Sequence, residues 1–194
     1  MNKPKSQNIV TAEQYLKDKK INFISPEKII ISYYSQIDLS KFTLVKEWNR
    51  GQLYIYKKIG VVINLGIGNS ILNLLTEELC VLGAKEFIII GYAGALNPKL
   101  KSGQLINSKK SKIYSTNDPY EEENKKWFIK MTKEKYDAVD METKYLEKKA
   151  EKLKCKTQSY LIITDKLTIN GWERKIDSEK IKQKFLDTFN KIIK

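Results

Sequence analysis

The sequence predicts a single α/β domain, with a mostly parallel or mixed central sheet flanked by helices. Short apolar segments alternate along the chain with segments whose apolar residues recur at helical spacing. The clearest example begins with the apolar residues 61–65 and a Gly-Ile-Gly turn. A segment with Leu72, Leu75 and Leu79 on one helical face follows, and residues 86–90 form a second apolar segment. A strand–helix–strand unit of this kind predicts that its two strands are parallel neighbours.

Caps and periodicity predict the remaining elements. Thr11 and Gln14 form a capping-box pattern, which predicts a short helix that ends at about residue 20. Asn69 or Ser70 is expected to cap the helix after the Gly-Ile-Gly turn, and Ser178 to cap the last helix. Further strands are predicted at 28–34, 53–58, 104–107 and 159–164, and further helices at 121–135 and 141–154. Residues 1–25 then form an N-terminal helix and lead-in, and residues 26–194 form the domain itself.

The composition excludes several kinds of site. The 194 residues include no histidine, so neither a Ser-His-Asp nor a Cys-His arrangement is available and no imidazole can bind a metal. Cys80 and Cys155 are far apart in sequence, which excludes a cysteine zinc cluster or a CxxC pair. Two cysteines are too few for a disulfide scaffold, and the N-terminus is polar. We therefore expect a cytoplasmic protein with no membrane segment and no bound metal.

The net charge of +13 comes mainly from lysine. The chain has 36 Lys and Arg residues against 23 Asp and Glu, and Arg50 and Arg174 are its only arginines. The lysines are spread along the whole chain, whereas base recognition and bidentate phosphate binding favour arginine. This pattern favours a solvated, lysine-rich surface. A lysine-rich nucleic-acid binder is therefore the weakest functional alternative for this chain.

Four features are expected at the carboxyl ends of strands, where open α/β sheets bind their ligands. They are the glycine turns at 66–68 and 91–94, Asp165, and the pair Met141-Glu142. Each has a purely structural explanation, because glycine turns are common and single acids often cap helices or loops. Together they predict a polar pocket at one edge of the sheet.

Five segments, taken in order, resemble the nucleoside phosphorylases and their nucleosidase relatives, the superfamily of purine nucleoside phosphorylase and uridine phosphorylase. Val-Asp-Met-Glu-Thr at 139–143 matches the most specific motif of that family, and Ile-Thr-Asp-Lys at 163–166 is similar to its late strand. The other segments are 66–68 with the helix after it, 91–98 and 102–105. The resemblance extends from about residue 26 to the C-terminus, and it implies a nucleoside phosphorylase-like fold.

The resemblance also implies an activity. It points to cleavage of the N-glycosidic bond of a purine or related nucleoside, by phosphorolysis or hydrolysis, in nucleoside salvage. Such cleavage develops an oxocarbenium-like sugar and a negatively charged leaving base. By the resemblance, Met141 and Glu142 hold the ribose, and the Glu142 carboxylate accepts hydrogen bonds from its 2′ and 3′ hydroxyls. Asp165 acts as the general acid on the base, for which its carboxyl must carry a proton.

Other residues surround the base by the same resemblance. Ala93 and Gly94 line the base pocket, and Tyr120 belongs to the segment that stacks on the base. Arg174 is expected to assist Asp165. The family also implies a nucleoside substrate and a homo-oligomer, whether dimer, trimer or hexamer.

The groups that bind a phosphate co-substrate in this family are largely missing. By the resemblance, residues 32–36 replace a glycine-rich phosphate loop, Ile89 replaces an arginine two residues before Gly91, and Tyr92 replaces a hydroxyl directly after it; the histidine at the sugar 5′ end is absent. The remaining candidates are Gly66, Gly68 and, from a neighbouring subunit, Lys46 or, less directly, Arg50. A hydrolytic member would have a carboxylate base near the first strand, where no Glu occupies that place and Asp38 is the substitute. No other co-substrate or cofactor is implied. These departures leave a second alternative, a catalytically degenerate nucleoside-binding or regulatory protein.

Overall fold

A computed structural model describes residues 10–48, 51–174 and 178–194. Its strands are β1 (Lys28–Ser32), β2 (Thr43–Trp48), β3 (Gly51–Tyr56), β4 (Ile59–Ile63), β5 (Glu86–Ala95), β6 (Leu105–Asn107), β7 (Ile113–Ser115), β8 (Ala138–Asp140), β9 (Lys156–Thr168) and β10 (Gly171–Glu173). Its helices are α1 (Ala12–Asp18), α2 (Asn69–Val81), α3 (Pro119–Glu122), α4 (Lys125–Lys133), α5 (Thr143–Leu153) and α6 (Ser178–Ile193). The predicted lead-in therefore contains α1, and its first nine residues lie outside the described part.

The strands form one mixed sheet in the order β10-β9-β5-β1-β4-β3-β2. The central strands β4, β1, β5 and β9 are parallel, while β10, β3 and β2 continue the sheet in antiparallel pairs. The short strand β6 pairs with β9, and β8 pairs with both β5 and β7. This arrangement confirms the predicted α/β fold with a mostly parallel or mixed sheet.

Helices cover both faces of the sheet because its central strands are apolar on both sides. On one face, Leu72 and Leu79 of α2 and Leu146 of α5 belong to one buried cluster. On the other face, Phe185 and Phe189 of α6 are fully buried against a second cluster. Burial of each of these phenylalanines stabilises the fold by about 1.5–3 kcal/mol. Among the described residues, none of the helices combines the length and apolar composition that a membrane span needs.

The caps agree with the sequence in one case and differ in another. The capping box is confirmed, since Thr11 Oγ1 accepts from Gln14 N at 3.2 Å and Gln14 Oε1 accepts from Thr11 N at 3.0 Å. The prediction that Asn69 or Ser70 caps α2 is wrong. Gly68 is the N-cap of α2, with no side-chain cap hydrogen bond. For the last helix, α6 begins at Ser178 itself, and residues 175–177 lie outside the described part.

The expected glycine turn at 91–94 is wrong, because those residues lie inside β5. Strand β5 continues to Ala95, and β9 continues past Asp165 to Thr168. The two strands pair along this whole length, with a register shift between Ala93 and Gly94 that sets Gly94 opposite Asp165. Interstrand hydrogen bonding therefore overrides the local turn tendency of glycine. It also brings Asp165 directly beside Gly94.

The helix predicted at 121–135 is divided in two. Helix α3 ends at Glu122, and α4 begins at Lys125, where the side chain of Asn124 caps it by accepting from Trp127 N at 3.1 Å. The break at Asn124 brings Glu123 to the wall of the cavity described below.

Candidate active site

A cavity of about 860 Å³ opens at the carboxyl ends of the parallel strands. This is the edge at which the sequence predicts a polar pocket. Six of the predicted site residues line the cavity, namely Ala93, Gly94, Tyr120, Met141, Glu142 and Asp165. The volume lies in the range typical of small-molecule sites.

Glu142 is buried at the junction of β8 and α5. It is the N-cap residue of α5, and its carboxylate accepts hydrogen bonds from the backbone N–H groups of Gly68 and Met141, both at 3.3 Å. Burial, together with the nearby charge of Asp140, raises the pKa of Glu142 to about 7. The carboxyl group is thus fixed at the cavity wall and changes charge near neutral pH.

Asp140 supports this junction. Its carboxylate accepts hydrogen bonds from Ser115 Oγ and Thr143 Oγ1, and from Thr143 N at 3.0 Å. Burial raises the pKa of Asp140, while these hydrogen bonds act in the opposite direction. The sequence motif gave no separate role to Asp140. In the structure, Asp140 lies two residues before Glu142, and its hydrogen bonds to Thr143 fix the first residue of α5.

Asp165 lies on β9 with both carboxylate oxygens engaged. Oδ1 is hydrogen-bonded to Thr164 Oγ1, and Oδ2 accepts a 2.8 Å hydrogen bond from Trp172 Nε1 on β10. Because an indole nitrogen can only donate, Oδ2 must act as an acceptor in this arrangement. Oδ1 accepts from the hydroxyl of Thr164, so both oxygens act as acceptors in this arrangement.

Arg174 is positioned differently from the expectation. Its guanidinium carbon lies over the ring of Trp172, 5.6 Å from the ring centroid, and Arg174 is exposed. It is not among the described residues that line the cavity. Asp165 is hydrogen-bonded to the side chains of Thr164 and Trp172, and Arg174 contacts the ring of Trp172.

Glu123 is a cavity residue that the sequence reasoning missed. It lies half-buried after α3 and lines the same cavity as Asp165. Burial raises its pKa to about 7, and the neighbouring charges of Asp165 and Glu122 act in the same direction. In the sequence it belongs to the acidic run 121–123, which is indistinguishable from a solvated helix start. Only the break between α3 and α4 identifies it.

The candidate phosphate-binding residues are not gathered in the cavity of this chain. The N–H of Gly68 is used by Glu142, and the space beside Gly66 is filled by Ile71, whose Cδ1 would lie 2.6 Å from an added Cβ. Lys46 lies on β2 in a separate crevice beside Leu16. Phosphate binding by these residues therefore stays a prediction, and Arg50 lies outside the described part.

Tyr33 directly follows β1, in the segment 32–36 that contains no glycine. It lines the cavity, and its ring packs against Gly91, whose added Cβ would lie 3.4 Å from Tyr33 Cδ2. Burial and the charges of Glu142 and Asp140 raise the pKa of Tyr33, so its hydroxyl stays protonated. This position thus offers an aromatic ring and a neutral hydroxyl.

Carboxyl groups dominate the charge of the cavity. Its wall includes Glu123, Asp140, Glu142 and Asp165, whereas Lys125 is the only cationic side chain among the described lining residues. The local charge is therefore opposite in sign to the net charge of the whole chain. This arrangement favours neutral ligands rich in hydroxyl or amine groups over anions.

Comparison with known proteins shows similarity in structure alone. No protein-family model matches the chain, and no curated protein sequence matches it. The 5'-methylthioadenosine/S-adenosyl homocysteine nucleosidase of Campylobacter jejuni superposes with a TM-score of 0.71 at 16% identity, over 87% of this chain and 97% of that one.

Two phosphorylases are also similar in structure. The purine nucleoside phosphorylase of Schistosoma mansoni gives a TM-score of 0.71 at 16% identity, over 95% of this chain and 97% of that one. A uridine phosphorylase of Vibrio fischeri gives 0.61 at 18% identity, over 79% and 80%. These similarities confirm the resemblance at the level of architecture: the chain has the fold of the nucleoside phosphorylases and nucleosidases.

Proposed function

We propose that this protein cleaves the N-glycosidic bond of a purine or related nucleoside in the cavity at the carboxyl ends of its strands. The observation that carries the proposal is the presence of Glu142 and Asp165 on the wall of one cavity, Glu142 just after β8 and Asp165 within the last part of β9. Glycosidic cleavage needs two carboxyl groups with different tasks. These two have different surroundings, which suits them to different tasks.

Glu142 holds the ribose in this proposal. Two backbone N–H groups fix its carboxylate, so it can accept from the two vicinal sugar hydroxyls without losing its position. Its negative charge also stabilises the positive charge that develops on the sugar. Hydrogen bonds donated by the substrate hydroxyls stabilise the ionised form of Glu142.

Asp165 acts on the leaving base. Trp172 holds Oδ2, and Oδ1 exchanges its Thr164 partner for a base nitrogen when it passes the proton. Glu123 shares the cavity and holds a proton over part of the neutral range, because its pKa is raised to about 7. It can therefore donate a second hydrogen bond to the base. Protonation of the base removes the negative charge that would otherwise build up on it.

We favour hydrolysis over phosphorolysis. A phosphate ion would enter a cavity with four carboxyl groups and, among the described lining residues, the single cation Lys125. Water meets no such repulsion: its oxygen bonds to the anomeric carbon as the bond to the base breaks, and the proton that it releases replaces the one that Asp165 gives to the base. Hydrolysis therefore needs no further residue for anion binding.

A nucleoside panel tests this proposal. Purine and pyrimidine nucleosides are incubated with the protein, with and without inorganic phosphate, and the free base is measured by chromatography. We expect base release from at least one purine nucleoside, at a rate that phosphate does not raise. A strict need for phosphate would contradict hydrolysis, and binding without release would favour the degenerate nucleoside-binding alternative.

A matched pair of variants links the activity to the cavity. Glu142→Gln removes a carboxylate of the site, whereas Glu121→Gln changes an exposed acid of α3 outside it. We expect the first to lower base release by about 100-fold or more and the second to leave it unchanged. Equal rates of base release by the two variants would show that the cavity is not the site of the activity.

We also propose that the chain is a homo-oligomer. Two large aromatic side chains at the cavity, Tyr120 and Trp172, are 99% and 64% exposed. Exposed aromatic residues are enriched where protein surfaces pair. Light scattering during size-exclusion chromatography is expected to give a dimer or larger species, and a fully active monomer would contradict this.

A further inference from the structure

Helices α2 and α5 lie side by side and run in the same direction away from the cavity. At their N-terminal ends, Gly68 N donates to Glu142 Oε1 at 3.3 Å. Midway, Lys149 of α5 forms an ion pair with Glu77 of α2. The C-terminal ends meet at the only two cysteines of the sequence. Cys80 lies in the last turn of α2, and Cys155 lies between the C-cap of α5 and the first residue of β9.

The two thiols are in direct contact. Their Sγ atoms are 2.8 Å apart, and both side chains are partly buried. A disulfide bond is about 2.05 Å long, so its formation requires the sulfurs to approach by less than about 1 Å. This short path makes the pair geometrically ready for a covalent bond.

The backbone around both thiols is fixed by the fold. Cys155 N donates to Ala150 O at 2.9 Å, and Lys156 N donates to Lys85 O at 2.8 Å. On the other side, Ala84 N donates to Leu79 O at 2.9 Å. These bonds fix the C-terminal ends of α2 and α5 and the start of β9. The two sulfurs can therefore bond without a rearrangement of the backbone.

We infer that Cys80 and Cys155 are a site of reversible oxidation and form an intramolecular disulfide that ties the C-terminal end of α2 to the start of β9. The oxidant is a small disulfide such as glutathione disulfide. One protein thiolate attacks it and releases one glutathione thiolate, and the second protein thiolate then attacks the mixed disulfide and releases the other. Two protein thiols become one disulfide, and one glutathione disulfide becomes two glutathione thiols.

The surroundings of the two thiols set the rate of their exchange with glutathione disulfide. Burial raises the pKa of the Cys80 thiol, and the adjacent Cys155 and Glu77 act in the same direction. Exchange is therefore slow at neutral pH and faster in alkaline buffer. The bond closes a loop of 75 residues, which restricts the unfolded chain and stabilises the folded one.

The cavity takes no part in this chemistry. Helix α2 has 13 residues, so its two ends are separated by about 20 Å. Oxidation is therefore measured on the protein itself and does not depend on the proposed glycosidic activity.

Thiol counting with thermal unfolding tests the inference. The folded wild-type protein is incubated with glutathione disulfide at mildly alkaline pH and compared with its reduced form and with Cys155→Ser. In the wild type we expect the free thiols to fall from two to none. The intact mass should fall by two hydrogen atoms, and Tm should rise by about 5–10 °C and return after dithiothreitol.

The variant serves as the control. Cys155→Ser keeps one thiol, so it can only carry a glutathione adduct and its Tm should not rise. If it fails to fold, the oxidised and reduced wild-type proteins still form a complete comparison. Two free thiols after prolonged incubation, stable glutathione adducts on both cysteines, disulfides between chains, or an unchanged Tm would each overturn the inference.

Discussion

Trp172 Nε1 donates a 2.8 Å hydrogen bond to Asp165 Oδ2, across the antiparallel pair of β9 and β10. The donor comes from a side chain that is itself 64% exposed. An exposed tryptophan therefore fixes the carboxyl group to which we assign the proton transfer. Arg174 lies over the ring of Trp172, with its guanidinium carbon 5.6 Å from the ring centroid.

The variant Trp172→Phe keeps the ring and removes the donor. We expect base release to fall by about tenfold or more, because the donor stabilises the carboxylate that remains once the proton has passed to the base, and a hydrogen bond to a charged group contributes about 1.5–3 kcal/mol. Thermal stability should change little, since the side chain is mostly exposed. Steady-state rates over a pH series provide the measurement, and Glu173→Gln on the same strand is the control. A Trp172→Phe enzyme with wild-type rates at every pH would remove Trp172 from the mechanism.

Gly94 is expected to be required because Asp165 approaches it closely. A Cβ at this position would lie 2.6 Å from Leu167 Cδ1 and 2.9 Å from Asp165 Oδ2. Gly94→Ala should therefore displace the Asp165 carboxyl group and lower the rate by about tenfold or more, with a stability cost of about 1–3 kcal/mol.

Gly91→Ala is the matched control for this change. The nearest atoms to its added Cβ lie at 3.4–3.6 Å, which is ordinary contact. Rates and urea unfolding of the two variants are compared with those of the wild type. Equal effects of the two substitutions would show that the position next to Asp165 has no special importance.

The raised pKa of Glu142 makes the stability of the fold depend on pH. Its pKa is about 7 in the folded protein against 4.5 for the free group, so the folded state binds the proton more tightly. The resulting stabilisation is present in full below about pH 4.5 and is lost as the pH rises through 7. Relative to Glu142→Gln, the wild type should therefore lose about 3 kcal/mol between pH 4.5 and pH 8.

Urea unfolding of both proteins at several pH values measures this difference. The free energy of unfolding of Glu142→Gln should follow that of the wild type below about pH 4.5, exceed it progressively between about pH 4.5 and 7, and keep a constant lead above that. A constant difference at all pH values would show that Glu142 has an ordinary pKa in the folded protein.

Local sequence patterns predicted the parallel centre of the sheet and the position of Glu142, whereas Asp165, expected at the end of a strand, lies inside β9. Continuous apolar segments such as that of β1 are informative because both faces of a central strand are buried. The Met141-Glu142 pair was placed correctly at a strand-to-helix junction. Its position follows from a short segment of the chain and depends little on distant pairing.

Features that depend on pairing between distant segments were not predictable. Gly91 and Gly94 resemble a turn locally, yet pairing with β9 holds both in β5. Trp172 acquires its role only because the hairpin of β9 and β10 folds it back onto Asp165. Glu123 reaches the cavity only because Asn124 restarts the helix. Each of these is a relation between segments that no local periodicity encodes.

Substitution of Asp165 by asparagine tests the central claim most directly. Asp165→Asn keeps the size of the side chain and the acceptor for Trp172, but it removes the carboxyl proton. Nucleoside binding and base release are measured on the same preparation, by calorimetry and by single-turnover chromatography. We predict nearly unchanged binding and a rate of base release lower by about 100-fold or more. Wild-type rates in Asp165→Asn would contradict the account, because the proton would then have to come from another group.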